Sequence, residues 1–254
     1  MEKRGVEVID EEIEKLLENT DNLTKEIFES QQKMKNFLLT LSKMYNTSYS
    51  NILLLRNQKE NVSFIIDKET IEKYGFHIKE GEKPLKIIKR VKVQDEVKFK
   101  IAEVFDVSQT DIDKKRENRY SKEYIEIMLK GMCARRGIIF EPNNIMRNIE
   151  NIVMDIKSNI RSDNLSRYSI DQYASQTQAE VDATIFTVAK NLNINTKNYN
   201  LQNICKWGIE KDTKMLKETL KYIQKFTNYF IKDFQTQQKL YNIEKEKQEA
   251  EELE

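Results

Sequence analysis

From residue 8 to residue 45, apolar side chains return every three or four positions: Ile13, Leu16, Leu17, Leu23, Ile27, Met34, Phe37, Leu38, Leu41 and Met44. That is the period of one face of an α-helix, so the stretch reads as one long amphipathic helix or two in series. A further helix over 48–58 carries Ile52, Leu53, Leu54 and Leu55. VSFII (62–66) is β-branched and apolar and reads as a strand, and KETIEKYG as a short helix stopped by Gly75. The period then changes. In LKIIKRVKV-QDE-VKFKIAEVFDV, Val97, Phe99 and Ile101 alternate with Lys98 and Lys100, which predicts a hairpin with one buried face and one lysine-rich face.

From about residue 121 the pattern is helical almost to the end. YSKEYIEIMLKGMCARRG reads as a helix ended by Gly137, followed by helices over NNIMRNIENIVMDIKSNI, 174–192, 201–207 and 212–241. The closing EKEKQEAEELE reads as a charged extension that frays. DIDKKRENR (111–119), polar and without strand pattern, is the expected domain seam. These elements predict an α+β protein. N-terminal helices pack on a small antiparallel sheet over 1–112, and a mostly helical domain covers 113–254.

Composition sharpens this only where charge is segregated. The 254 residues carry a net charge of +1, with 39% hydrophobic and 33% charged residues. No apolar run is long enough for a membrane span, so no membrane is expected. The N-terminus lacks the apolar core of a secretion signal, and Cys133 and Cys205 make no disulfide framework, which together point to the cytoplasm. Within residues 1–30, Glu2, Glu7, Asp10, Glu11, Glu12, Glu14, Glu18, Asp21, Glu26 and Glu29 outnumber the bases, and the tail from 242 is acidic again. Lys79, Lys83, Lys86, Lys89, Arg90, Lys92, Lys98 and Lys100 reverse the balance in the middle. Acidic ends around a basic middle suggest an anionic partner, with the N-terminal helix a candidate cover for the basic face.

Catalytic signatures are missing. His77 is the only histidine, so an HExxH zinc site is not encoded, and no glycine-rich phosphate loop is present. No cofactor is implied. The region 45–110 is more informative. Ser48, Asn51 and Gln58 form a polar stripe on a leucine-dominated helix, with Tyr45 and Tyr49 beside it. Amides suit base edges and tyrosines offer stacking faces, while the lysines neutralise a phosphate backbone. Gly81 and Pro84 set a tight turn into the hairpin, where glycine permits positive φ.

Three segments, SYSNILLLRNQ (48–58), EKYGFHIKEGEKPLKI (72–87) and VFDVSQT (104–110), resemble the N-terminal domain of ArdC/LtrC-type antirestriction proteins. Ser48, Asn51 and Gln58 match one motif of that domain. Gly75, Ile78, Lys79, Gly81, Glu82 and Lys83 match a second, and Val104, Phe105, Asp106, Gln109 and Thr110 a third. Ile71 and Phe76 stand where the pattern has tryptophan and arginine. In the second half, Ala179, Glu180, Tyr199, Ile204 and Trp207 resemble the zinc-peptidase-like domain of the same family, and Ile149–Val153 falls where HExxH belongs. The resemblance implies a single-stranded DNA-binding domain followed by a peptidase-derived domain without catalysis. It implies a role in mobile-element transfer or antirestriction protection, with DNA as partner and a host defence or conjugation protein as a further one. The expected DNA-binding residues are Tyr45, Ser48, Tyr49, Asn51, Gln58, the eight bases above and Gln109, with no catalytic or metal-binding residue. The alternative is a protein-binding anti-defence or regulatory factor that docks on a host enzyme. A third reading is a residual hydrolase using Glu150 and Glu180.

Overall fold

A computed structural model describes the backbone of residues 2–93, 96–112, 120–160, 170–209 and 211–251, and the side chains of 11–91, 98–112, 120–160, 175–209 and 211–251. The chain is α+β and divides into two compact units, Met1–Glu117 with Lys211–Lys217, and Asn118–Glu210 with Glu218–Glu254. Most of the expected seam, 113–119, lies outside the described residues, as does the tip of the expected hairpin turn.

The first unit opens with α1 (Glu2–Phe28) and α2 (Gln31–Lys43). The helical pattern of 8–45 breaks at Ser30, whose hydroxyl caps α2 by accepting the amide of Lys33 at 3.2 Å. Ile13, Ile27 and Phe28 of α1 are buried, so this acidic helix is part of the core as well as a charged surface. Removing 1–30 would therefore test folding before it tested any covering role. Helix α3 (Tyr49–Gln58) is capped by Ser48 and buries Asn51 through Leu55 without a break, as a helix enclosed on several sides must. Leu38, Leu41, Ile52 and Leu55 are fully buried, and truncating any of them to alanine should cost about 2–5 kcal/mol.

The sheet has the order β1-β3-β2, antiparallel throughout, with β1 at Ile65–Ile66, β2 at Leu85–Val93 and β3 at Glu96–Asp106. The expected strand over 62–66 shrinks to two residues because Ser63 and Phe64 give their amides to the carboxylate of Asp106 instead of to a ladder. Between β1 and β2 lies α4 (Lys68–Lys73), capped by Asp67. It ends at Gly75 with φ 75°, where Gly75 N donates to Glu72 O and Phe76 N to Ile71 O. This is the paired hydrogen-bond closure that a glycine in the left-handed region permits.

The second unit is helical: α5 (Lys122–Arg136), α6 (Ile145–Ile160), α7 (Ile170–Asn191), α8 (Gln202–Gly208) and most of α9 (Thr213–Glu251). Met128, Leu129 and Met132 of α5 meet Ile149, Ile152 and Val153 of α6, Val181 and Val188 of α7, and Phe226, Phe230 and Phe234 of α9 in one core. Gly137, at φ 66°, ends α5 as read from the sequence. The tail expected to fray instead continues α9 to Glu251, with Lys245 and Glu249 at 3.5 Å supporting the last turns. No helix among the described residues is long and apolar enough to cross a membrane.

Candidate nucleic-acid interface

The first motif folds the unit rather than facing outward. Strand β2 lies on the outside of the sheet, so alternate N–H and C=O groups along it need partners. Asn51 donates through Nδ2 to Ile88 O and accepts Ile88 N through Oδ1, both at 2.9 Å. Two helical turns on, Gln58 does the same to Lys86, donating at 2.8 Å and accepting at 2.7 Å. Each amide replaces both hydrogen bonds of an absent neighbouring residue, so α3 closes the sheet edge in place of a fourth strand. Sequence reading expected these two amides to meet a ligand; in the fold Asn51 gives one donor and its oxygen to Ile88, and Gln58 gives its donors to Leu54 and Lys86 and its oxygen to Lys86. Ser48 is exposed and caps α3, accepting Asn51 N at 3.4 Å.

Gln109 is likewise internal. It is buried, accepts Asp106 N at 2.8 Å, and donates to Glu82 Oε2 and Lys83 O, each at 2.8 Å. Those bonds tie the end of β3 to the turn at Lys79–Glu82, where Gly81 has φ 80° and Glu82 N donates to Lys79 O at 3.2 Å. Asp106 is fully buried and accepts from Ser63, Phe64 and Ser108. Burial pushes its pKa up, but the hydrogen bonds from Ser108, Ser63 and Phe64 outweigh it and leave the carboxyl below its usual range. The motif residues Asn51, Gln58, Asp106 and Gln109 are thus braces.

The register of the hairpin also departs from expectation. Arg90 pairs with Phe99, Ile88 with Ile101 and Lys86 with Glu103, so these share one face. Lys89 pairs with Lys100, Val91 with Lys98, Ile87 with Ala102 and Leu85 with Val104 on the other. Leu85, Ile87 and Val104 are the buried ones. Lys89, Lys98 and Lys100 therefore continue the face that leads into the core, while Lys86 and Arg90 share the face of Phe99, so basic side chains stand on both faces of the ribbon rather than on one. Alternation alone could not show this, because the ribbon runs past the core and both faces are wet at its far end.

Two arrangements result. Lys89 and Lys100 are exposed and directly opposite, with exposed Lys98 on the same face, and like charges across a ladder are destabilising. On the other face Phe99 is 42% exposed, and the guanidinium of Arg90 lies 5.5 Å from its ring centre. Lys79 and Lys83 are exposed at the turn, Lys79 donating to Ser108 O at 2.9 Å. Lys86 is bonded to Glu12 at 2.7 Å, which raises its pKa. The side chain of Lys92 lies outside the described residues. Tyr45 and Tyr49 are half-buried rather than open stacking faces, and burial, aided by Asp21, pushes the Tyr49 hydroxyl up to about 12.

Besides Phe99, three other aromatic rings among the described residues of this unit are exposed. Phe64, Tyr74 and Phe76 line a groove with Ile65, Ile66, Asp67, Thr70, Ile71 and Ile112. Sequence reading missed them because Phe64 belonged to an expected strand, Tyr74 to a helix end, and Phe76 only marked a departure from a motif. Their shared signal was position: all three flank the short α4.

The resemblance sets a metal-binding helix at Ile149–Val153, and the residues there do not fit one. Ile149, Ile152 and Val153 are fully buried in the core, and Glu150 bonds Arg147 at 2.9 Å. Glu180 is fully buried on α7 and accepts from Gln176 at 3.2 Å and Thr219 at 3.3 Å. The two acids stand in different surroundings, one half-exposed beside an arginine and one fully buried, where it accepts from an amide and a hydroxyl among its partners. Among the described residues no three His, Cys, Asp or Glu side chains are grouped to hold a metal ion. His77 is exposed in the first unit, its Nδ1 3.1 Å from Asp111 Oδ2.

Two solved structures of the antirestriction ArdC protein from the R388 plasmid are similar to the chain. The Mn(II)-bound form has a TM-score of 0.48 and 11% identity, covering 73% of this chain and 84% of that one. The metal-free form has a TM-score of 0.45 and 13% identity, covering 74% and 85%. No protein-family model matches the chain, and no curated protein matches it.

Proposed function

We propose that the first unit binds single-stranded DNA through its hairpin, and that the protein serves a mobile element by protecting or transferring that DNA without catalysis of its own. The observation that carries the reading is the Lys89–Lys100 pair, with Lys98 on the same face and the Arg90–Phe99 stack on the other. Two opposed ammonium groups cost stability in the free protein, and a phosphate set between them removes that cost. The guanidinium over an exposed ring is a surface on which a base can stack, and stacking is indifferent to sequence. Lys79 and Lys83 extend the positive potential toward the turn. An antirestriction role follows from the motif resemblance and from what the R388 protein is called.

The test is a titration of a labelled oligonucleotide, single-stranded against double-stranded, at several salt concentrations. Tight binding to the single strand with a steep salt dependence is expected. The double variant Lys89→Ala/Lys100→Ala should flatten the slope of log affinity against log salt by about 1.4, since each contact on a single strand contributes about 0.7. Absence of binding at low salt would overturn the reading in favour of a protein-docking factor.

A further inference from the structure

The groove beside α4 does not belong to the hairpin, yet its lining is unusual for a soluble surface. Phe64 is 57% exposed, Tyr74 67% and Phe76 38%, three rings that line one groove with Ile66, Ile71 and Ile112. Large exposed apolar side chains in the second unit are, among the described residues, aliphatic except for Tyr229. The rings are held from behind. Asp106 fixes the backbone of Phe64, and the closure at Gly75 sets Tyr74 and Phe76 on either side of a turn. Rings whose backbone is already held and whose faces are open to water receive a flat partner at a reduced cost in conformational freedom.

Charge narrows the choice of partner. Lys73 lies 5.9 Å from the Tyr74 ring centre, and Lys89 is near enough to Asp67, on the groove wall, to act on it electrostatically. The carboxylate of Asp67 is itself occupied by Thr70 N at 2.8 Å. The same Lys89 faces Lys100 across the hairpin. A ligand that is flat and apolar at intervals of one unit and anionic between them meets both features at once. That describes an unpaired polynucleotide and does not describe a peptide strand.

We infer that the Phe64–Tyr74–Phe76 groove is a base-stacking subsite, taking bases of the strand whose phosphates pass the Lys89–Lys100 pair. This rests on the DNA-binding reading and adds a second contact area to it. Stacking on a ring strengthens binding by roughly tenfold or more per base and tolerates any base.

The experiment uses the full chain and two probes of equal length, labelled oligothymidylate and an abasic deoxyribose-phosphate polymer. Tyr74→Ala and Phe64→Ala should each weaken oligothymidylate binding about tenfold and leave abasic binding and the salt slope unchanged. Oligothymidylate carrying 4-thiothymidine, irradiated with the unsubstituted protein, should crosslink to peptides containing Phe64 or Tyr74. Wild-type affinity retained by both variants, with crosslinks only at the hairpin, would overturn the groove and leave the DNA reading standing. Equal weakening for both probes would also overturn it, since the rings would then act without bases. Binding of neither probe at low salt would remove the DNA reading itself, and the groove would be free for a peptide laid along the edge of β1.

Discussion

The two units spend their polar side chains differently. In the first, Asn51, Gln58, Asp106 and Gln109 bond backbone, closing a sheet edge, a strand end and a turn. In the second, Gln176, Glu180 and Thr219 bond one another inside a helical core whose backbone groups satisfy themselves. A small sheet has edges and a helical bundle has none, so the sheet recruits amides and carboxylates as substitute strands. The consequence reaches function. With these four polar residues committed inward, the exposed groups beside the sheet that remain to meet a ligand include Lys89, Lys98, Lys100 and the rings of Phe64, Tyr74, Phe76 and Phe99.

The largest effect expected from this contrast is at Asn51. Asn51→Leu keeps the volume and leaves both Ile88 N–H and Ile88 C=O without their partner, costing about 3 kcal/mol in urea unfolding. Glu180→Gln keeps a polar group of the same shape among Gln176 and Thr219 and should cost about 1 kcal/mol. Similar costs at the two positions would remove the distinction between bracing a backbone and filling a core.

Next comes Asp106, whose hydrogen bonds from Ser63, Phe64 and Ser108 hold it ionised below the usual carboxylate range. The unfolded chain has the ordinary, higher value. The contribution to stability is therefore complete above that value and is lost as pH falls through the lower, folded one. Asp106→Asn should cost about 2 kcal/mol at neutral pH and flatten the acid limb of the stability curve. An acid limb unchanged by the substitution would show that other carboxylates set it.

How much of this was legible in the sequence follows the same division. Helix periods, Gly75, Gly137 and the strands of the hairpin were readable because each is a local signal. Motif residues were also visible as special, but not what made them so. Whether an amide at Asn51 points at a base or at Ile88 depends on a strand 37 positions away, which spacing along a helix does not encode. The expected division of the hairpin into one buried and one lysine-rich face failed for a related reason. Alternation shows that two faces differ, whereas which one is covered depends on where the core ends. Phe64, Tyr74 and Phe76 escaped notice because aromatic residues read as core until a structure leaves them outside.

The smallest effects come from two glycines, one in each unit, and they sharpen the comparison because their signs differ in origin. Gly75 has φ 75° and nothing within 4 Å of the place a Cβ would occupy, so Gly75→Ala meets no neighbour and suffers only the left-handed backbone. The cost should be about 1 kcal/mol, accompanied by weaker oligothymidylate binding because Tyr74 and Phe76 flank the turn. Gly131 lies within α5, where alanine gains about 1 kcal/mol of helix propensity. Its added methyl would meet the side-chain amide of Gln237, which accepts from Arg135 Nε at 2.9 Å. That amide can swing aside at the loss of one hydrogen bond, about 1 kcal/mol, so Gly131→Ala should leave the unfolding midpoint nearly unchanged. A large loss at Gly131 would mean that α5 and α9 cannot yield there. The second unit would then be the more tightly specified of the two, even though the first carries the motifs.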